Sequence, residues 1–379
     1  MAADRASILV TGGAGYIGSH AVLALLEAGY AVVVIDNLST GFRWAVDRRA
    51  AFIEGGVENE SLVRGVMELH GVCAVMHFAG SIIVPESVAN PLKYYRNNTT
   101  ASRSLIESAV ACGVPHFIFS STAAVYGVPE QVPIPEAAEQ RPINPYGMSK
   151  LMTETMLADT AAAHHLNYCA LRYFNVAGAD PQGRCGQSML GATHLIKVAV
   201  EAVLGKRDHV KIFGTDYDTP DGTGVRDYIH VSDLAAAHVV ALEALMAAPA
   251  RNLRLNCGYG SGYSVLEVLD MVEQVTNVRI TRQTAPRRPG DPATLVADNR
   301  AILETLDWRP RHADLEQIVR DAFRWEMRLP RVNGGASDEF LVTGSGSSRF
   351  DEKFGARARS HGNGGLIPIL DERDSSNIG

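Results

Sequence analysis

The sequence has no apolar run of about 18 residues, the minimum for a membrane span, so none is expected. It also lacks any Cys-x-x-Cys pair. The five cysteines, Cys73, Cys112, Cys169, Cys185 and Cys257, stand singly, which excludes a zinc knuckle and gives no disulfide framework. They read as small buried hydrophobes, and no metal site is expected. Positive charge is scarce as well. A formal net charge of −7 argues against nucleic acid as a partner, because phosphate binding needs a basic surface. The first apolar run is too short for a secretory signal and leads directly into glycines, so the cytoplasm is the expected compartment. Asn98-Thr99-Thr100 then reads as a chance match to a glycan acceptor. There are no internal repeats.

What remains is an ordinary globular composition, 46% hydrophobic and 20% charged. A chain of 379 residues is long enough for one large domain or two joined ones. Ile8-Leu9-Val10 reads as a buried parallel strand. Gly12, Gly15 and Gly18 follow it, and then Val22, Leu23, Leu25 and Leu26 at helical spacing. Glycines between a strand and a helix allow a tight turn and close approach of backbone to a pyrophosphate, which then sits on the helix N-terminus. Ala31 to Ile35 is a second strand, closed by Asp36. A carboxylate there accepts hydrogen bonds from a ribose diol and repels a 2′-phosphate, so the expected cofactor is NAD and not NADP.

The alternation continues through strands at Val72 to Ala79, His116 to Ser121 and Tyr168 to Tyr173, with a helix between Asn90 and about Cys112. Strict alternation predicts an α/β fold, a doubly wound parallel Rossmann sheet. Ligands bind at the C-terminal ends of such strands, where Gly12, Asp36, Gly80, Thr122 and Asn175 fall. Asn144, Pro145, Tyr146 and Lys150 then open a helix: Asn caps it, Pro suits its first position, and the phenol and ammonium lie four apart on one face. The ammonium is expected to lower the tyrosine pKa from about 10, making it a proton-transfer group. Beyond about residue 180 the texture becomes that of a smaller α/β lobe. It has a glycine-rich loop over 180–192, a helix at Leu195 to Leu204, a strand at Val210 to Phe213, and capping boxes at Ser264/Glu267 and Asp314/Gln317. The expected division is 1–180 for the cofactor, 181–330 for the substrate, and a disordered tail over 331–379.

With these segments placed, residues 7–328 resemble the extended short-chain dehydrogenase/reductase family, and within it the UDP-glucose 4-epimerases. The resemblance rests on TGGAGYIGSH at the start, Asp36-Asn37-Leu38, HFAG at 77–80, YYRNN at 94–98, SSTAAVYG at 120–127, PYGMSK at 145–150, RYFN at 172–175 and DGTGVRDYIHV at 221–231. It implies interconversion of UDP-galactose and UDP-glucose through a 4-keto sugar, with tightly bound NAD, in a homodimer. It also implies roles for residues. Tyr146, Lys150 and Thr122 form the catalytic group. Gly12, Gly15, Tyr16, Ile17 and Gly18 lie along the cofactor pyrophosphate, and Asp36, Asn37, Leu38, Ser39, Thr40 and Gly41 around its adenosine ribose. Val57, Phe78, Ala79, Gly80, Asn97 and Phe174 complete the cofactor site. Asn175, Phe213, Arg226, Arg288 and Asp291 hold the UDP.

Five positions depart from the family pattern. Thr122 replaces a frequent Ser, Ile82 a Lys, Gly56 an Asp and His194 an Asn, and Leu295 occupies the position that governs how large a 2-substituent fits. Ala123 and Ala124 follow Thr122 where 4,6-dehydratases carry an acid and a base, so dehydration is not expected. A 4-epimerase of another UDP-sugar and a silent NAD-binding regulator remain as alternative readings.

Overall fold

Strand residues that are apolar at every position belong where both faces are covered. Ile8 and Val10 face one core, with Val22, Leu25, Val34, Leu234 and Leu242. Leu9 faces the other, with Val33, Val63, Leu105, Phe117 and Leu157. The computed structural model describes residues 6–248, 251–288 and 291–333. Six strands, β1 (Ser7–Thr11), β2 (Ala31–Asp36), β3 (Ala51–Glu54), β4 (Val72–His77), β5 (His116–Thr122) and β6 (Asn167–Tyr173), are joined by a seventh, Leu253–Cys257. Their order is Leu253–Cys257, β6, β5, β4, β1, β2, β3, all parallel. Chain direction therefore reverses its winding between β1 and β4, the crevice where ligands of such sheets bind. The register places Thr11 beside Ile35 and His77, so the glycine turn, Asp36 and the segment after β4 emerge together.

The sequence-based division at residue 180 does not follow the path of the chain. Residues beyond it return to the large sheet: Leu253–Cys257 pairs with β6, and the helix Val231–Ala247 packs against the helix Tyr16–Glu27. The sheet is thus completed by late sequence. That helix has ten buried residues spread around its circumference, so it shows no clear 3.6-residue stripe from which to find it. β3 and the helix Glu60–Leu69 were likewise not anticipated. β3 is four residues long, at the sheet edge, and its burial does not alternate: the two middle residues are half-buried and the two ends exposed. The helix expected to run unbroken from Asn90 has a π-helical stretch, Tyr95–Thr100, inserted before its last part, Ala101–Ala111.

The smaller lobe gathers Ile196, Val200, Ile212, Val268, Leu269, Ile318 and Val319 around the parallel strands Val210–Phe213 and Arg282–Ala285. Ser264 and Glu267 form the complete capping box. Asp314 is only half of one: its carboxylate accepts from Gln317 N at 3.1 Å, while the Gln317 amide turns to His312. The last helix among the described residues runs from Leu315 to Asn333, and the rest of the segment read as a disordered tail lies outside them.

Because Leu255 is 4% exposed on the late strand, Leu255→Ala should cost about 2–5 kcal/mol. Urea unfolding followed by tryptophan fluorescence and far-UV circular dichroism should remain a single transition. Separate transitions would show that the late residues fold apart from the first sheet.

Candidate active site

The glycine turn after β1 brings three backbones together. Gly12 has φ +71°, and a Cβ on it would stand 2.6 Å from Ala79 N, so no side chain fits between this turn and the end of β4. Gly15 precedes the helix Tyr16–Glu27, whose N-terminus has no side-chain cap. Its first N–H groups and the positive end of its dipole face the cavity beside Gly12, Tyr16 and Ile17, a fit for a pyrophosphate. At the end of β2, Asp36 accepts from Ala14 N at 2.9 Å and Leu38 N at 2.8 Å. Each oxygen keeps lone-pair capacity for a diol. These observations fit NAD.

A cavity of about 1380 Å³ runs from this turn to the smaller lobe. Gly12, Gly15, Tyr16, Ile17, Gly18, Asp36, Asn37, Ser39, Thr40, Gly41 and Val57 line its first part, with Phe78, Ala79, Gly80, Asn97 and Phe174 further along. Leu38 is the exception. It sits at φ 55° with its side chain packed against the main core, and only its backbone serves the turn. Gly56 makes room for a different group: a Cβ there would collide with the Glu58 carboxylate, which itself reaches the cavity.

Thr122 ends β5, and the helix Pro145–Ala163 crosses it. Asn144 caps that helix by accepting from Gly147 N at 2.9 Å. A Cβ on Gly147 would lie 2.6 Å from Ala124 O, so glycine lets the helix start against the turn after β5. Tyr146 and Lys150 thereby reach the same wall as Thr122. Lys150, 3% exposed, donates to Ser120 O at 3.0 Å and stands 5.0 Å from the centre of the Phe119 ring. Burial lowers its pKa to about 8. The expected depression of the tyrosine pKa is not what the protein alone produces. Burial raises Tyr146, and the hydrogen bond from Thr122 offsets only part of that rise. The edge of Tyr94 lies against Tyr146, ring centres 6.5 Å apart.

At the far end, Asn175, Phe213, Arg226, Arg288 and Asp291 share the cavity wall. Arg226 donates to Asp291 Oδ1 at 2.5 Å and to the carbonyls of Val225, Ala293 and Pro292. The Arg288 guanidinium carbon stands over the Phe213 ring, 3.9 Å from its centre. Ile82, His194 and Leu295 also line the cavity, and Gln187 holds His194 Nδ1 at 2.6 Å.

Sequence reading passed over the residues that brace the wall. Asn98 Oδ1 accepts from Ser81 N at 2.7 Å, and its amide donates to Ser149 Oγ at 3.0 Å. It is 2% exposed, with its amide bonded inside the fold and not presented at the surface as a glycan acceptor would be. Its place in the YYRNN run was the available signal. Ser120 and Ser121, likewise inside a noted run, had no chemistry of their own to mark them.

A parallel sheet wound in two directions, with an uncapped helix at its glycine turn and a Tyr–Lys–Thr group beside it, defines a dinucleotide-dependent enzyme of the short-chain dehydrogenase/reductase class. The sequence profile of the NAD dependent epimerase/dehydratase family matches residues 8–258, and the chain belongs to that family. A UDP-glucose 4-epimerase from Azospirillum brasilense is 56% identical over 329 residues, covering 87% of this chain and 94% of the relative. The crystal structure of UDP-glucose 4-epimerase from Brucella ovis in complex with NAD superposes with a TM-score of 0.82 at 46% identity, covering 84% of this chain and 98% of that one. The enzyme from Bifidobacterium longum, in complex with NAD+ and UDP, gives 0.82 at 37% identity, covering 86% and 99%.

Lys150 carries a pH signature. Its folded pKa of about 8 lies below the unfolded value of about 10.4. Between them the unfolded chain binds more protons, so this group makes stability rise with pH across that window. Lys150→Met should therefore be more stable than wild type at pH 7, with the margin shrinking from pH 8 to about 10.5. Urea midpoints measured at each pH would test this, and a constant margin would contradict it.

Proposed function

We propose that this protein is a UDP-glucose 4-epimerase, interconverting UDP-galactose and UDP-glucose through a 4-keto sugar on one retained NAD. The observation that carries this reading is a single cavity joining a glycine-turn cofactor cradle, the Tyr146–Lys150–Thr122 wall and an arginine-lined far end, with no acid or base directly after Thr122. NAD, when bound, supplies a hydride acceptor and a positive charge. Tyr146 takes the proton from the sugar 4-hydroxyl and returns it. Thr122 hydrogen-bonds the same oxygen. Lys150, mostly protonated at pH 7 with a pKa of about 8, stabilises the phenolate. Asn175, Phe213, Arg226, Arg288 and Asp291 hold the nucleotide, while the sugar keeps freedom to present its other face.

Ala123 and Ala124 line the cavity next to Thr122 and move no protons, which supports epimerisation over dehydration. Leu295 lines it too, packed with Ala123, Val125 and Tyr126, so 4-epimerisation of a UDP-N-acetyl sugar is the second reading. No helix among the described residues is long and apolar enough to cross a membrane. We read the protein as a cytoplasmic homodimer. Support for self-association comes from Met152 on the catalytic helix and Leu92, 39% and 77% exposed. Light scattering giving a monomer mass at working concentration would remove that part.

Purified protein should convert UDP-galactose to UDP-glucose without added NAD. Tyr146→Phe should retain its NAD and lose at least about 100-fold in kcat. No turnover by wild-type protein that carries NAD would overturn the enzyme reading, and a wild-type rate in the variant would reassign the proton relay. Parallel assays on UDP-N-acetylgalactosamine decide between the two substrates.

A further inference from the structure

The last three residues of β5 each reach the same helix, one turn apart. Ser120 accepts Lys150 Nζ at its carbonyl, the Ser121 hydroxyl donates to Glu154 Oε1, and the Thr122 hydroxyl lies near enough to the Tyr146 phenol to lower its pKa. Two of these partners face the cavity. Glu154 does not: it is 1% exposed and is not part of the cavity wall.

Glu154 is gripped from β6 by Arg172, which is fully buried. Arg172 Nε donates to Oε1 at 3.0 Å and Nη2 to Oε2 at 2.6 Å. Its remaining nitrogen, Nη1, donates to the Tyr126 hydroxyl at 2.9 Å and to the Glu136 carbonyl at 3.2 Å. The Tyr126 hydroxyl donates to Asn256 Oδ1 at 2.7 Å, on the late strand of the sheet. One guanidinium thus ties together the catalytic helix, the turn 123–126 after Thr122, and the strand that arrives from far along the chain. A buried ion pair is a poor way to stabilise a fold, because apolar residues of similar volume often do as well or better. What the pair supplies, and apolar packing does not, is directional fixing of one element against another.

We propose that Glu154 and Arg172 are positioning residues for the proton relay. They lock the helix Pro145–Ala163 in register on β5, so that Tyr146 stays within hydrogen-bond distance of Thr122 while Lys150 stays on Ser120. The proposal rests on the Tyr146–Lys150–Thr122 relay described under the proposed function. Neither residue touches substrate or cofactor, and neither moves a proton. A small slip of the helix would separate phenol and hydroxyl without emptying either binding site.

The test replaces both charges together. Glu154→Met with Arg172→Met should unfold within about 5 °C of the wild-type Tm or above it. It should retain its NAD and keep the KM for UDP-galactose, yet lose on the order of 100-fold in kcat, the loss expected from a misplacement of about 1 Å. Ser121→Ala leaves the ion pair intact and cuts only its link to β5. It should lower kcat roughly 5–10-fold with KM, NAD content and Tm nearly unchanged, and it decides the matter if the double variant does not fold. Wild-type kcat in the folded double variant or in Ser121→Ala overturns the proposal. So does a loss of kcat that appears only together with a fall in Tm or in NAD content, since that marks a purely structural pair. Tyr146→Phe run alongside separates the two readings: activity surviving there removes the relay itself, while activity lost there and intact in the other variants removes only the positioning role.

Discussion

Lys150 is an ammonium placed where almost no water reaches, with one hydrogen bond to a backbone carbonyl and the ring of Phe119 5.0 Å away. Burying a cation with so few partners favours its loss of a proton, and the drop of its pKa to about 8 records that cost. The surrounding structure is arranged to keep it there. Asn144 starts the helix at the required point, Gly147 lets it come against the turn after β5, and Ser149, one residue before Lys150, is held by Asn98. Asn98 in turn holds the backbone after Gly80, so the cofactor side of the crevice and the catalytic helix share one support.

The same burial acts on Tyr146 with the opposite sign of charge. Low solvation keeps the phenol protonated as it pushes the lysine toward neutrality, so in the protein alone the two charged forms are both disfavoured. Bringing the phenol from 10 or above to near neutral pH requires at least about three pKa units, roughly 4 kcal/mol. In the proposed reaction Thr122 would supply part of that, and positive charge brought in with the cofactor the balance. On that reading the base forms only when the site is filled. That suits a reaction whose intermediate must not be released half-way.

The first strand, the glycine turn and Asp36 were readable because backbone constraints there leave few residue choices: glycine where a Cβ would strike Ala79 N, and a carboxylate where it ends a buried strand. The Tyr146 helix was readable from its cap. Other features were not. The helix Val231–Ala247 is buried over most of its surface and so lacks a polar face to mark its period. The strand Leu253–Cys257 inserts beside β6 after a long excursion, and sequence order carries no sign of that pairing. Leu38 was grouped with Asp36 and Asn37, which line the cavity, yet it sits at a left-handed φ with its side chain packed against the core. The sign of the Tyr146 shift was also missed. The spacing of Tyr and Lys shows a favourable charge but not the desolvation that outweighs it.

At the far end of the cavity, two arginines that look equivalent in sequence are held differently. The strand Val225–Arg226 lies between Tyr263–Ser264 and Thr294–Leu295, with Leu295 paired to Arg226. Both terminal nitrogens of Arg226 are committed, to Asp291 and to three carbonyls, so this side chain arrives already oriented. Arg288 is held by its face, on Phe213, and among the described residues its edge donors have no hydrogen-bond partner. In the proposed reaction the fixed arginine defines where a nucleotide diphosphate sits, and the stacked one supplies donors to it. Anchoring concentrated at this end leaves the sugar to the alanines, Leu295 and the two hydroxyls of the catalytic wall. A 4-keto sugar has to turn there without losing its tether, and a wall with few hydrogen-bonding groups lets it do so.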